Sequence, residues 1–131
     1  MADTDRKKIL VVDDEINVCK SVRQALLNPD YEIDIALSGA DALRLAGEKP
    51  YEVILVDLMM PVAGGLDVLK VLKARNSPAQ VIIMTGYPSS RTSLHSMQLG
   101  AFDYLPKPFL LSEIRGLVAK ALAATATPAG S

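Results

Sequence analysis

Four short, largely apolar runs, each followed within two positions by a polar residue, constrain the fold of this chain more than any other feature. The runs occupy residues 9–12, 53–56, 81–84 and 102–105. Apolar runs this short, separated by stretches long enough for a helix, are typical of strands that are covered on both faces. The pattern therefore predicts an α/β fold built on a parallel sheet.

The rest of the chain completes a regular alternation. Residues 31–36 alternate apolar and polar side chains, which predicts an edge strand with one face in water. Apolar residues at three- and four-residue spacing between the strands predict helices. These helices cover residues 15–27, 39–47, 66–74, 91–99 and 111–123. The fourth of them is rich in residues of middling helix propensity and offers few apolar anchors. The expected order is strand then helix, five times over.

The polar residues that follow the strands are expected to meet, because the carboxyl ends of parallel strands share one edge of the sheet. They are Asp13 and Asp14 after the first strand, Asp57 after the third, Thr85 after the fourth and Lys107 after the fifth. Three carboxylates, one hydroxyl and one ammonium would share a small pocket. Such a pocket is suited to a divalent metal ion and a phosphoryl group.

Composition limits the chain to one domain and excludes several functions. Its 131 residues, 50% of them hydrophobic, can form one core but not two. The net charge of −1 gives no electrostatic reason to bind nucleic acid or a membrane surface. The N-terminus has no apolar signal core, and no stretch approaches membrane-spanning length. Cys19, the single cysteine, is predicted to be a packing residue. A cytoplasmic location is expected.

The same residues resemble the receiver domain of two-component response regulators. The motifs that carry the resemblance are Asp13-Asp14, Asp57 in Val-Asp-Leu-Met-Met-Pro, Thr85-Gly86 and Lys107-Pro108, in that order. The resemblance covers residues 8–123, whereas residues 124–131 are small and uncharged and are expected to form a flexible tail or the start of a linker. It implies one doubly wound, flavodoxin-like (βα)5 domain with strand order 2-1-3-4-5. It also implies that the Lys107-Pro108 bond is cis.

Asp57 is expected to be the phosphoacceptor, because an aspartate carboxylate can attack a phosphoryl group and form an acyl phosphate. Three crowded carboxylates repel one another, and Mg²⁺, which prefers oxygen ligands, would relieve that repulsion, with Mn²⁺ as a substitute. Asp14 and Asp57 are expected to bind the ion directly, and Asp13 through a water molecule. The resemblance implies that the backbone carbonyl of Met59 is a further ligand.

Lys107 and Thr85 are expected to contact the phosphoryl oxygens, one as a positive charge and the other as a hydroxyl donor. Phosphorylation would draw Thr85 toward Asp57 and vacate space behind the fourth strand. The resemblance implies that an aromatic residue on the fifth strand, here Tyr104, then moves inward. The surface of the fourth helix, fifth strand and fifth helix would report the change, and the weak helix at 91–99 suits a two-state element.

The resemblance also implies partners. The donor would be a histidine kinase or a histidine phosphotransfer protein, intrinsic self-phosphorylation and self-dephosphorylation would be weak, and a homodimer through the reporting surface is a further expectation. Met59 and Tyr87, two positions past the nucleophile and the threonine, would flank the attacking water. A thioether is apolar and a phenol ring is bulky, so slow hydrolysis is expected. The chain is compatible with a stand-alone regulator and with a receiver joined to a DNA-binding, ATPase or kinase part.

Other interpretations compete with this one. An aspartate-nucleophile phosphatase or phosphotransferase for small substrates would need a second acidic residue where Met59 stands. A flavodoxin-like cofactor binder would need a phosphate loop after the first strand, where Asp13 and Asp14 would repel phosphate. A non-phosphorylated interaction module is disfavoured, because every active-site position is kept. Residues Asp13-Asp14-Glu15 could also merely form an acidic first turn that the helix dipole favours.

Overall fold

Five strands and five helices alternate along residues 6–126, the part of the chain that the computed structural model describes. The strands are β1 (Lys7–Val12), β2 (Tyr31–Ala36), β3 (Val53–Asp57), β4 (Gln80–Thr85) and β5 (Asp103–Pro106). The helices are α1 (Ile16–Ala25), α2 (Gly39–Glu48), α3 (Gly65–Ala74), α4 (Arg91–Gln98) and α5 (Leu111–Ala126). The alternation expected from the apolar runs is confirmed.

The strands form one parallel sheet in the order β2-β1-β3-β4-β5, as predicted. The alternating run of β2 lies at an edge of the sheet. The chain passes to one side of β1 to form β2 and to the other side to form β3, and ligands of such sheets bind at the carboxyl ends where the direction changes. Asp13 directly follows β1, and Asp57 is the last residue of β3. Both carboxylates therefore lie at this crevice.

Two separate core clusters explain why the central strands do not alternate in polarity. Successive strand residues point to opposite faces of a sheet, and here helices cover both faces. Ile9 and Val11 pack with buried residues of α1 and α5, such as Val22 and Ile114. On the other face, Leu10 and Val12 belong to a cluster that includes residues of α2 and α3. Apolar side chains are therefore required at every central position of these strands.

Helix ends differ from the sequence predictions. α1 begins at Ile16 and ends at Ala25, so it is shorter than predicted at both ends. α5 continues to Ala126, which corrects the prediction that residues from 124 onward form a tail. Alanine is the strongest helix former, so Ala123 and Ala124 favour continuation of the helix. Within the last turn the Thr125 hydroxyl donates a hydrogen bond of 2.7 Å to the carbonyl of Leu122. The rest of the predicted tail, residues 127–131, lies outside the described residues.

α4 is the shortest helix, with eight residues, and its two fully buried side chains are the serines Ser93 and Ser96. This arrangement agrees with the prediction that the helix has few apolar anchors. The Ser90 hydroxyl caps its first turn by accepting the Ser93 N–H at 3.1 Å. Across residues 6–126, no helix has the length and apolar character needed to cross a membrane.

Candidate functional site

Three carboxylates meet at the carboxyl ends of β1 and β3. Asp13 is fully buried, Asp57 is 8% exposed, and Asp14 is exposed at the rim. One carboxylate oxygen from each residue lies within 4.8 Å of the other two. The predicted convergence of the three carboxylates therefore occurs. An oxygen-only cluster of this size suits a hard divalent cation.

The loop after β1 fixes the carboxylate of Asp13. Oδ1 accepts a hydrogen bond from the backbone N–H of Glu15 at 3.0 Å, and Oδ2 accepts one from Lys107 at 2.9 Å. Helix α1 starts only at Ile16 and has no acidic residue in its first turn. The helix dipole therefore does not account for Asp13, because its side chain is directed into the pocket toward Lys107.

Lys107 reaches the carboxylates from the far side of the pocket. Its backbone N–H donates to the carbonyl of Thr85 at 2.7 Å, which continues the pairing of β5 with β4. Its ammonium nitrogen lies 2.9 Å from Oδ2 of Asp13 and 3.1 Å from Oδ1 of Asp57. The Lys107-Pro108 peptide bond is cis, as predicted. One cation thus bridges the two buried carboxylates.

Burial and charge crowding shift the proton affinities of the pocket. Burial raises the pKa of Asp57 above its usual value, the charge of Asp13 raises it further, and Lys107 opposes both. Burial acts to lower the pKa of Lys107, but hydrogen bonds to Asp13 and Asp57 outweigh burial, so this pKa lies above its usual value. The lysine is therefore held as a cation, and the pocket retains an excess of negative charge.

Cys19 lies under the same loop. It is fully buried and its Sγ donates a 3.4 Å hydrogen bond to the carbonyl of Asp13. Burial, with the nearby charge of Asp13, raises the pKa of the thiol to about 11. The residue therefore stays a neutral packing residue, as predicted from the sequence.

Thr85 ends β4 and is 1% exposed. Its hydroxyl accepts the backbone N–H of Tyr87 at 2.9 Å and lies 3.5 Å from Oγ of Ser93. These partners belong to the β4–α4 segment and to α4, so the hydroxyl is engaged with groups other than the carboxylates. Sequence reasoning missed the contribution of Ser93. The available signal was the spacing of Ser90, Ser93 and Ser96, which puts three hydroxyls on one helix face directly after Thr85.

The remaining predicted residues lie around the pocket rather than in it. Met59 and Tyr87 are exposed at the rim, at 68% and 73%. Tyr104 is half-buried on the edge strand β5 and packs against the core cluster on the α2–α3 face. An open, largely apolar groove of about 510 Å³ adjoins the pocket. Its lining consists of Asn17, Val18, Ser21, Lys107, Pro108 and Phe109.

A comparison of the whole sequence with models of known protein families identifies the family of this chain. A family model described as the response regulator receiver domain matches residues 9–119. The chain belongs to the response regulator receiver domain family. Receiver domains of this family act as signalling switches that receive phosphoryl groups from histidine kinases in two-component systems.

Individual relatives agree with this assignment. The transcriptional regulatory protein ZraR of Escherichia coli K12 is 37% identical over 121 residues, which are 92% of this chain and 27% of that protein. The regulatory protein AtoC of the same organism is 36% identical over 115 residues, 88% of this chain and 25% of that protein. The receiver domain described here thus spans about a quarter of the length of these relatives.

Solved structures share the fold of this receiver domain. The receiver domain of the Francisella response regulator 1452 has a TM-score of 0.84 at 30% identity, covering 92% of this chain and 99% of that chain. The chemotaxis protein CheY4 of Vibrio cholerae has a TM-score of 0.78 at 27% identity, covering 92% of this chain and 98% of that chain.

Proposed function

We propose that this receiver domain accepts a phosphoryl group on the carboxylate of Asp57. The observation that carries the proposal is the single cation, Lys107, placed 3.1 Å from Asp57 and 2.9 Å from Asp13 in one pocket. A nucleophilic carboxylate, a neighbouring carboxylate cluster and a fixed ammonium are the groups that transfer of a phosphoryl group requires. A phosphatase for small substrates is not favoured, because the position two residues after Asp57 is the apolar Met59.

In the proposed transfer, an oxygen of Asp57 forms a bond to phosphorus while the N–P bond of a phosphohistidine breaks. The imidazole nitrogen leaves with the electron pair of that bond, and the product is an acyl phosphate. Lys107 would compensate negative charge on the phosphoryl oxygens, as it now compensates the carboxylates. Thr85 would donate its hydroxyl to another oxygen. Without a partner, transfer from small donors and hydrolysis are expected to be slow.

The carboxylate cluster supports the proposal that Mg²⁺, or Mn²⁺ in its place, is the cofactor. The oxygens of Asp13, Asp14 and Asp57 lie within 4.8 Å of one another, and oxygen is the donor that these ions prefer. Asp14 and Asp57 would bind the ion directly, Asp13 through water, and Met59 through its carbonyl. When bound, the ion neutralises charge on the carboxylates and on the transferring group.

The switch is proposed to run from Thr85 to the surface of α4, β5 and α5. A phosphoryl group on Asp57 would attract the Thr85 hydroxyl away from Tyr87, and the half-buried Tyr104 would move into the space vacated. The change would then appear on the surface that carries Tyr104, which is also the proposed homodimer surface. Because ZraR is a transcriptional regulatory protein, control of a transcriptional output is the leading proposal for the target.

The partner is proposed to be a histidine kinase or a histidine phosphotransfer protein that docks beside the pocket. The groove that includes Val18 and Phe109 is apolar and adjoins Lys107, so a helix with an apolar face would bury the groove while presenting its histidine to Asp57. Direct contact with nucleic acid or membrane is not part of the proposal. A cytoplasmic location stays a prediction.

The test of the phosphoacceptor is intact-mass analysis after incubation with acetyl phosphate and Mg²⁺. The parent is expected to gain one phosphoryl group that hydroxylamine removes, as it does from an acyl phosphate. Asp57→Asn is expected to gain none. Asp67→Asn, which changes an exposed aspartate on α3, is the matched control and is expected to behave like the parent. Undiminished phosphorylation of Asp57→Asn would contradict the assignment.

A further inference from the structure

The backbone of Tyr87 is held at both ends by hydroxyl groups. Its N–H donates to Oγ1 of Thr85 at 2.9 Å, and its carbonyl accepts the hydroxyl of Ser93 at 2.9 Å. Thr85 ends β4, and Ser93 is the third residue of α4. One residue of the connecting segment, residues 86–90, therefore links the proposed switch threonine to a buried position in the helix.

Ser93 is the centre of a fully bonded group of hydroxyls. It is completely buried, and its Oγ accepts the Ser90 hydroxyl at 3.1 Å while donating to the carbonyl of Tyr87. A buried hydroxyl is costly unless it forms hydrogen bonds, and a serine adds almost no apolar contact. Packing alone therefore does not explain a serine at this position. The hydrogen bonds that Ser93 forms with the segment before α4 explain why a serine stands here.

The same bonds oppose the motion that signalling requires. If the Thr85 side chain rotates to donate its hydroxyl to a phosphoryl group on Asp57, its Oγ1 moves away from Tyr87 and the N–H of Tyr87 loses its acceptor. That N–H belongs to the Gly86–Tyr87 peptide and then needs a new partner, which requires rotation about the backbone of Tyr87. The carbonyl of Tyr87 lies in the next peptide, so this rotation strains or breaks its hydrogen bond to Ser93. Rotation of Thr85 is thus linked to displacement of α4 through Tyr87.

We propose that Ser93 is a positioning residue that anchors the Tyr87 backbone and so holds the Thr85 hydroxyl away from Asp57 in the resting state. The proposal rests on the proposed function, because it concerns the same switch. A generally weak α4 would not single out any residue, whereas this proposal assigns the restraint on Thr85 to the hydroxyl of Ser93. Loss of that hydroxyl should loosen the resting state and raise the population that is ready to bind a phosphoryl group.

The experiment compares the parent with Ser93→Ala by two NMR measurements. Hydrogen exchange of the Tyr87 amide, measured without ligand, is expected to be about fivefold faster in Ser93→Ala, the effect of losing one net hydrogen bond. Titration with beryllium fluoride in Mg²⁺, which forms a stable mimic of the phosphoryl group, is expected to show binding about fivefold tighter. Ser93→Cys, with a weaker donor of similar size, should shift both values less and in the same direction.

Ser96→Ala is the matched control. Ser96 lies on the same helix and is equally buried, but its hydroxyl donates to the carbonyl of Ser93 at 2.6 Å and not to Tyr87. The Ser96→Ala substitution should lower the stability of the domain, but the exchange rate of the Tyr87 amide and the affinity for beryllium fluoride should stay at parent values. Equal effects of Ser96→Ala and Ser93→Ala, or parent-like values in a folded Ser93→Ala or Ser93→Cys, would overturn the proposal.

The two proposals fail in different ways. A parent that does not bind beryllium fluoride in Mg²⁺ would contradict the phosphoacceptor function itself. The exchange measurement uses no ligand, so it tests the proposed role of Ser93 separately. Faster exchange of the Tyr87 amide in Ser93→Ala supports that role, and unchanged exchange overturns it.

Discussion

The ammonium of Lys107 lies 3.1 Å from the carboxylate of Asp57, a residue fifty positions earlier in the chain. The same ammonium contacts Asp13, so one cation compensates two buried carboxylates. Removing one partner of a buried ionic group leaves the others without compensation, and this costs more than the pair contributes. The stability of the metal-free domain should therefore depend on Lys107.

Lys107→Met should lower the free energy of unfolding at pH 7 without divalent ions by about 1–3 kcal/mol. Adding Mg²⁺ should stabilise the variant more than the parent, because the unopposed carboxylates attract a cation more strongly. Urea unfolding followed by circular dichroism, with and without Mg²⁺, measures both effects. Lys120→Met, at an exposed position of α5, is the control. Equal stabilisation of Lys107→Met and the parent by Mg²⁺ would contradict this account.

The lifetime of the acyl phosphate should depend on the two exposed side chains at the rim, Met59 and Tyr87. Neither a thioether nor a bulky phenol positions an attacking water well, so the parent should lose its phosphoryl group slowly. The double variant Met59→Asn, Tyr87→Glu should lose it at least about tenfold faster, because polar groups would then orient the water.

Loss of the phosphoryl group is followed by intact mass after removal of the donor. Leu27 is an exposed apolar residue just after α1, so Leu27→Asn is the control for placing a polar side chain on the surface and should leave the rate unchanged. Loss from the parent within seconds, or an unchanged rate in the double variant, would show that these side chains do not set the lifetime.

Val62 has a backbone φ of 70° and a fully exposed side chain, in a tight turn where Ala63 N–H donates to the carbonyl of Pro61 at 2.8 Å. The left-handed region is unfavourable for a β-branched residue, and no packing offsets it. Val62→Asn should raise the free energy of unfolding by about 0.5–1 kcal/mol. Val62→Ala should give a smaller gain. If thermal or urea unfolding shows no gain in stability for Val62→Asn, the backbone at Val62 is not strained.

A second polar cluster lies far from the pocket. Asp34 accepts the Tyr51 hydroxyl at 2.6 Å and the Lys49 ammonium at 2.9 Å. Burial acts to raise the pKa of Asp34, but these hydrogen bonds outweigh it and hold the pKa below its usual value. Because the pKa is lower in the folded state, ionised Asp34 stabilises the fold above about pH 4, and that contribution is lost as pH falls through the lowered value.

Asp34→Asn should therefore be less stable than the parent at pH 7, by about 1–2 kcal/mol, and the difference should shrink as the pH falls below about 4. Urea unfolding across this pH range measures it, with Asp30→Asn at an exposed turn as the control. A difference that does not change with pH would show that the ionised carboxylate is not what stabilises the cluster.

Much of the fold could be predicted because the apolar runs and their order are local features. Asp57 and Lys107 could be assigned to one edge of the sheet once the strands were recognised, since parallel strands end together. Hydroxyl positions such as Ser93 could not be assigned with the same rules. A serine on a weak helix is normally exposed, and only contacts with Tyr87 and Thr85 make its burial favourable.

The cluster of Asp34, Lys49 and Tyr51 was missed for a related reason. Its members come from β2 and from the segment between α2 and β3, and nothing local indicates that they meet. The end of α5 was also misjudged, because the small residues after position 123 were taken as a sign of a tail although alanine favours a helix. The predictions therefore failed where contacts between residues far apart in the sequence, or the intrinsic helix propensity of alanine, determined the structure.

The sheet separates the two core clusters, so the side chains on one face pack independently of those on the other. Thr85 follows Ile83 by two positions and faces Ser93, so it belongs to the layer of α2, α3 and α4, and Tyr104 packs into the same layer. A repacking of that layer need not disturb the opposite one, where Ile114 of α5 and Val22 of α1 share a cluster. The proposed movements of Thr85 and Tyr104 would therefore stay on one side of the sheet, while the buried face of α5 keeps its packing against α1.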